Sequence, residues 1–146
     1  MPQSKTHFYY HFVWTTWRRS QMVTSDVERR IYRSIENEVR KLRGTVLALD
    51  GMPDHVHLAV QLPGTVAPSQ LMQRVKGVSS TLGREVLIPG GLFGWQDGYA
   101  GFTIIGQHLQ NTIAYIRNQK RHHAEGTTIP EWESPDVDED QHQRSD

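Results

Sequence analysis

The stretch TVLALDGMPDHVHLAVQL, Thr45 to Leu62, constrains the fold more than any other part of the chain. Two runs rich in β-formers, TVLALDGM and HVHLAVQL, meet at the turn residues Asp50, Gly51, Pro53 and Asp54. So short a connection joins antiparallel neighbours, because a parallel pair needs a crossover of about a dozen residues or more. The remaining elements must therefore extend this hairpin or cover its faces. Side chains of a strand alternate, so His55 and His57 project from one face, roughly 7 Å apart along the chain, while Val56 and Leu58 project from the other. A same-face imidazole pair suits one metal ion. It equally describes a half-exposed strand that tolerates polar residues, and His-x-His alone does not separate the two.

The flanking segments supply a recognisable order. THFYYHFVWTTW, Thr6 to Trp17, is dense in aromatics and reads as a first strand buried on both faces, followed by the basic loop RRSQ. Thr24, Ser25 or Asp26 can cap a helix running to about Arg43 with the apolar stripe Val27, Ile31, Ile35, Val39 and Leu42, and Gly44 is expected as its left-handed C-cap. Pro68 and Ser69 open a second helix with the stripe Leu71, Val75, Val78 and Leu82. PGGLFGWQDGYAG is a Gly-rich loop carrying aromatics, AGFTII a last strand, and a third helix spans about His108 to His123. Strand, helix, strand, strand, helix, strand, helix is the ferredoxin-like split βαβ plan: an α+β fold with an antiparallel sheet and an added C-terminal helix.

At 146 residues the chain can bury a core without a staple or a structural metal, so any metal is expected to be functional. The absence of cysteine excludes disulfides, thiolate zinc sites and cysteine nucleophiles. No apolar run reaches the length of a membrane span or signal peptide, so no membrane partner and a cytoplasmic location are expected. The net charge of zero hides an asymmetry: residues 131–146 hold seven acidic side chains and one basic, residues 1–130 nine acidic and fifteen basic. We divide the chain into a moderately basic domain, 1–125, and an acidic, disordered tail, 126–146.

The last helix, GQHLQNTIAYIRNQKRHH, is the informative one. Leu109, Ile113 and Ile116 form its apolar stripe. Tyr115 lies about 200° around from Ile113 and shares a polar row with His108, Asn111, Asn118, Gln119 and His122. Such a tyrosine is either an interface residue with a wet hydroxyl or a nucleophile. A phenol of pKa about 10 needs a nearby base or cation to act, and works best on an electrophile polarised by metal. The histidine pair would hold that metal, and Gln119, one turn past Tyr115, could offer a third ligand.

FVWTTWRR, GMPDHVHLAV and YIRNQKRHH, in that order, resemble the single-tyrosine HUH transposases of the insertion-sequence 200/605 group, over about residues 6–125. The resemblance implies Tyr115 as the catalytic nucleophile and His55, His57 and Gln119 as ligands of a divalent metal, Mg²⁺ or Mn²⁺. It also implies single-stranded DNA, cleaved and rejoined at hairpin ends of an element through a 5′-phosphotyrosine link. Homodimers with composite active sites, and work at the nucleoid, belong to the same expectation.

Arg18, Arg19, Arg74, Lys76, Arg117, Lys120 and Arg121 are candidate phosphate contacts, and Trp95, in the Gly-rich loop, is placed to stack on an unpaired base. Two competing readings stay open. One is a non-catalytic nucleic-acid-binding regulator on the same fold; the other is a water-using phosphoesterase that would need no tyrosine.

Overall fold

The computed structural model describes residues 4–88 and 90–135. Strand β1 (Tyr9–Thr15) leads into a tight turn at Trp17–Arg19, helix α1 (Glu28–Lys41), the hairpin β2 (Thr45–Met52) and β3 (His55–Gln61), and helix α2 (Pro68–Leu82). After a loop come strand β4 (Ala100–Ile104), helices α3 (Leu109–Arg117) and α4 (Gln119–Glu125), and a last helical turn at Pro130–Trp132. The sheet is antiparallel with the order β2-β3-β1-β4, so the expected α+β ferredoxin-like plan holds.

Period-two alternation divides the sheet into two unlike faces. Phe12 and Trp14 of β1, with Val56, Leu58 and Val60 of β3, bury against Ile31, Ile35 and Val39 of α1 and Leu71, Met72 and Val75 of α2. His11, His55 and His57 lie on the opposite face with Ala48 and Ala59, under Ile113, Tyr115 and Ile116 of α3. The pair sits in the middle of the sheet because Val13 of β1 and Asp50 of β2 flank His57 on either side, and Thr15 and Met52 flank His55. Gly51 is required here: a Cβ on it would lie 2.2 Å from the carbonyl oxygen of His55, so only glycine lets the hairpin close.

Several local expectations are corrected. The left-handed residue after α1 is Arg43 (φ 62°), not Gly44. Gly44 is needed for a different reason, since its Cβ would stand 2.9 Å from Val39 Cγ1. On α2, Val78 is 40% exposed and Ser79 is fully buried in its place. Ser79 Oγ donates to the Val75 carbonyl (2.6 Å) and accepts from Trp95 Nε1 (2.9 Å). The third helix breaks at Asn118, whose side chain Nδ2 donates to the Ala114 carbonyl (2.7 Å) and competes with the backbone ladder there.

The acidic segment also departs from expectation. Residues 127–135 fold back onto the domain, with Ile129 and Trp132 packed on the small apolar cluster under α3. The rest of the expected tail, 136–146, lies outside the described residues. Among the described residues no helix is long and apolar enough to cross a membrane.

Candidate active site

The sheet's second face carries a connected set of hydrogen bonds that begins at Asp54. This residue lies in the two-residue turn before β3, and its Oδ1 accepts from His55 Nδ1 (2.7 Å) while Oδ2 accepts from Arg19 Nε (3.2 Å). Arg19 reaches it because Arg18 and Arg19 both hold left-handed backbone, φ 55° and 53°, a conformation uncommon for residues with a Cβ. A carboxylate cannot donate, so His55 must carry its proton on Nδ1, and Nε2 turns toward the site. On the next inward position, His57 Nδ1 is 2.9 Å from His11 Nε2, which turns His57 Nε2 to the same place. Both imidazoles are fixed from behind, an arrangement that orients metal-ligating histidines.

The residue that completes the cluster was not found from the sequence. Glu133, from the segment expected to be solvated, inserts its carboxylate between the pair and the tyrosine. Oε2 accepts from His55 Nε2 (2.8 Å) and His123 Nε2 (2.9 Å) and lies 3.4 Å from His57 Nε2. Oε1 accepts from the Tyr115 hydroxyl and lies 3.4 Å from Gln119 Nε2. Ligand atoms of His55, His57 and Glu133 all fall within 4.8 Å of one another, a grouping that could hold a metal ion. Gln119 is fully buried beside them, its Oε1 3.4 Å from His55 Nε2 and 3.2 Å from His123 Nε2. Two imidazole nitrogens, a carboxylate and an amide oxygen are a donor set that fits a divalent cation. The sequence does hold a weak signal for Glu133: EWES carries a tryptophan that an acidic, solvated tail would not need.

Tyr115 is 6% exposed, which corrects its assignment to a wet polar row. The acidic segment covers it: Trp132 packs edge-on at 5.1 Å, the backbone N–H of Ile129 donates to its hydroxyl (2.8 Å), and His122 stacks on its ring at 4.7 Å. Tyr115 and the histidine pair belong to one chain, with the rings of Tyr115 and His57 6.0 Å apart. One chain supplies all the groups of this cluster. Tyr32 and Tyr99 pack against the apolar core of the other face.

Electrostatics separates the two histidines. Burial would lower the pKa of His55, but its hydrogen bonds to Asp54 and Glu133 and their charges raise it to about 9. Burial lowers His57, whose partners do not compensate. Burial alone would raise the Glu133 carboxyl; hydrogen bonds from His55, His57 and Tyr115 instead hold it well below the usual carboxylate range. Tyr115 is pushed up to about 12, first by burial and then by its bond to the Glu133 carboxylate.

Most of the basic residues expected at phosphates are engaged within the chain. Arg74 pairs with Glu38 (2.9 Å), Lys120 with Glu28 (2.6 Å) and Asp50 (2.9 Å), and Lys76 Nζ donates to the Gln96 and Gly98 carbonyls. Arg19 is held by Asp54, and Arg117 lies 3.4 Å from the Leu47 carbonyl. Arg18 lies over the exposed Trp17 ring at 5.6 Å, and Arg121 faces solvent. Trp95 does not stand free for a base: its ring packs on Trp14 and Phe93 and its N–H is taken by Ser79.

Residues 4–119 match the family model described as IS200-like transposase. The chain belongs to that family. Its fold is shared with a candidate transposase from Deinococcus radiodurans R1, 22% identical, over 82% of this chain and 98% of that one (TM-score 0.65). It is shared also with a REP-associated tyrosine transposase bound to a REP hairpin, 18% identical, over 88% of this chain and 76% of that one (TM-score 0.61). No curated protein matches the chain by sequence. The family match ends at Gln119 and so excludes Glu133, which makes the closing carboxylate a feature that this chain's own structure reveals.

Proposed function

We propose that this IS200-like transposase family member cleaves and rejoins single-stranded DNA through a covalent link to Tyr115. The observation that carries the reading is the meeting of the Tyr115 hydroxyl, His55 and His57 at one carboxylate, on a face whose two histidines are each oriented from behind. Tyr115 Oη forms the bond to phosphorus as the bond to the 3′-oxygen breaks. The phenolic proton is lost to water as the bond to phosphorus forms, and the departing oxygen takes a proton from solvent to become a 3′-hydroxyl. The phosphodiester energy is kept in the 5′-phosphotyrosine, so rejoining needs no nucleotide cofactor.

His55, His57 and Glu133, with Gln119 as a further donor, would hold a divalent cation, Mg²⁺ or Mn²⁺, whose chemistry is Lewis-acid polarisation of the phosphate oxygens. Pairing the Glu133 charge with a cation also removes one of the contributions that keep the Tyr115 phenol protonated. Asp54 and His11 hold the imidazoles in the tautomers that ligation requires, and Arg19 holds Asp54. Arg18 and Arg121 are proposed phosphate contacts; Arg19, Arg74, Lys76, Arg117 and Lys120 could reach DNA only by giving up or sharing the contacts described above. Hairpin DNA is the proposed partner, with the active site assembled within each chain whether or not the chain dimerises, and the work is done in the cytoplasm at the nucleoid.

The test is a covalent adduct. Protein incubated with labelled single-stranded DNA from the flanks of its own gene and Mn²⁺ should yield a protein–DNA species stable to denaturation, absent in Tyr115→Phe. Cutting that persists in Tyr115→Phe without an adduct would identify a water-using phosphoesterase instead.

A further inference from the structure

Beside the metal-type cluster lies a cleft of about 320 Å³ that the cleavage chemistry does not use. Its walls come from β4 (Phe102, Thr103, Ile104), the start of α3 (His108, Asn111, Thr112) and Trp132 of the acidic segment, and His11 lines it. His11 also belongs to the site, since its Nε2 meets His57 Nδ1 at 2.9 Å. The cleft and the active centre therefore share one buried imidazole as a party wall.

We propose that this cleft is a nucleobase pocket, which receives an unpaired base adjoining the phosphate that Tyr115 attacks. It rests on the reading of the chain as a single-strand DNA cleaving protein. Three observations lead to it. Phe102 and Trp132 approach the His11 ring at 5.7 and 5.1 Å, so the inner cleft is aromatic on three sides, the setting in which unpaired bases are held by proteins. The mouth exposes an apolar side chain, Ile105 at 60%, next to the polar Asn111 and His108, which suits a flat ligand with an apolar face and a polar edge. The third observation is chemical. In the tautomer that ligation requires, with the His57 Nε2 lone pair toward a cation, His57 Nδ1–H donates to His11 Nε2 and the only proton left to a neutral His11 sits on Nδ1. That atom is buried and has no hydrogen-bond partner among the described residues. Buried donors are rarely left so. A ring nitrogen or carbonyl of a base entering past Trp132 would supply the acceptor, and would couple occupancy of the pocket to the orientation of His57.

Position agrees with this assignment. Trp132 touches both His11 and Tyr115, each at 5.1 Å, so a base beside the indole is within one nucleotide of the tyrosine hydroxyl. The phosphate that Tyr115 attacks would then lie beside the tyrosine hydroxyl, with its sugar leading to the cleft.

The experiment uses the full chain labelled with ¹⁵N at histidine, titrated with the four deoxynucleoside 5′-monophosphates and with 2-deoxyribose 5-phosphate, which lacks a base. At least one nucleotide should shift the His11 ring nitrogen resonances, and deoxyribose phosphate should leave them in place while perturbing His55 and His57. Phe102→Ala and, as a surface change that cannot disturb the core, Ile105→Ala should each weaken nucleotide binding severalfold and leave deoxyribose phosphate binding unchanged. Equal responses to nucleotides and to deoxyribose phosphate would overturn the pocket, as would base-dependent binding indifferent to both variants. Adduct formation with single-stranded DNA, measured on the same preparations, separates this from the parent reading. An adduct with no base-dependent shift at His11 overturns the pocket and leaves cleavage standing; a base-dependent shift without any adduct keeps the pocket and overturns cleavage.

Discussion

The two faces of the sheet use the same strands to opposite ends. Toward α1 and α2, β1 and β3 offer Phe12, Trp14, Val56, Leu58 and Val60, large side chains that fill the space between sheet and helices. Toward α3 they offer His11, His55, His57 and Ala59, and here the small residues Ala48 and Ala59 leave room for the α3 side chains Ile113, Tyr115 and Ile116. The first face is held by area removed from water. The second is held by directed bonds among imidazoles, carboxylates and one phenol, which support one another because an unpaired polar group is costly at such burial. Stability and chemistry are thus divided by the pleat of single strands.

Substitutions should respect that division, and the largest effect is the simplest to read. Tyr115→Phe and His55→Ala should each abolish the DNA adduct, whereas Leu58→Ala on the other face should lower stability by about 2–5 kcal/mol and leave adduct formation in the remaining folded protein intact. Adduct formation assayed alongside thermal unfolding gives both numbers. An adduct surviving in His55→Ala would break the division. Tyr115→Phe should itself cost about 1 kcal/mol of stability, because its hydroxyl donates to Glu133 and accepts from the Ile129 N–H.

A smaller effect is expected from residues that only orient the ligands. Asp54→Asn and His11→Ala should each weaken Mn²⁺ binding about 10–100-fold, measured by calorimetry, while leaving His55 and His57 in place. Glu133→Gln should weaken it too, since a neutral amide replaces the one carboxylate of the set. Unchanged Mn²⁺ affinity in Glu133→Gln would leave Gln119 as the third ligand.

Protons give a finer test. In the metal-free protein His55 is raised to about 9, so at pH 7 it is charged and its Nε2 is occupied by a proton. A cation must displace that proton: Mn²⁺ binding at pH 7 should release about one proton from His55, and apparent affinity should rise about tenfold per unit as pH increases toward 9. Calorimetry in buffers of different ionisation enthalpy reads the release. The metal-free fold should behave in the opposite sense. A histidine whose pKa is raised on folding stabilises fully below its unfolded value near 6.5 and loses that contribution as pH rises through about 9. A metal affinity independent of pH from 7 to 9 would show that His55 is neutral at rest.

The smallest expected signal is a null. Mixing Tyr115→Phe with His57→Ala should restore no adduct, because each chain brings its own tyrosine to its own pair. Recovery of activity on mixing would mean that α3 exchanges between subunits during the reaction.

Much of this was legible in the chain because it depends on local periodicity. Alternation in HVHLAVQ puts His55 and His57 on one face whatever packs above them, and the two-residue turn at Pro53 and Asp54 makes β2 and β3 antiparallel. The element order then leaves few sheet topologies, and the ferredoxin-like one is formed. What periodicity could not supply was the covering of the second face. A helical wheel put Tyr115 and Gln119 toward solvent because they lie off the Ile113–Ile116 stripe, yet they are 6% and 0% exposed. The break at Asn118 turns Gln119 inward, and residues 127–135 fold back over Tyr115. Glu133 is separated from His55 by about half of the chain and stands in a run that composition marks as solvated. Its burial is decided only when three histidines and a phenol are already gathered by the sheet, α3 and α4, because a carboxylate leaves water only for partners that replace its hydration.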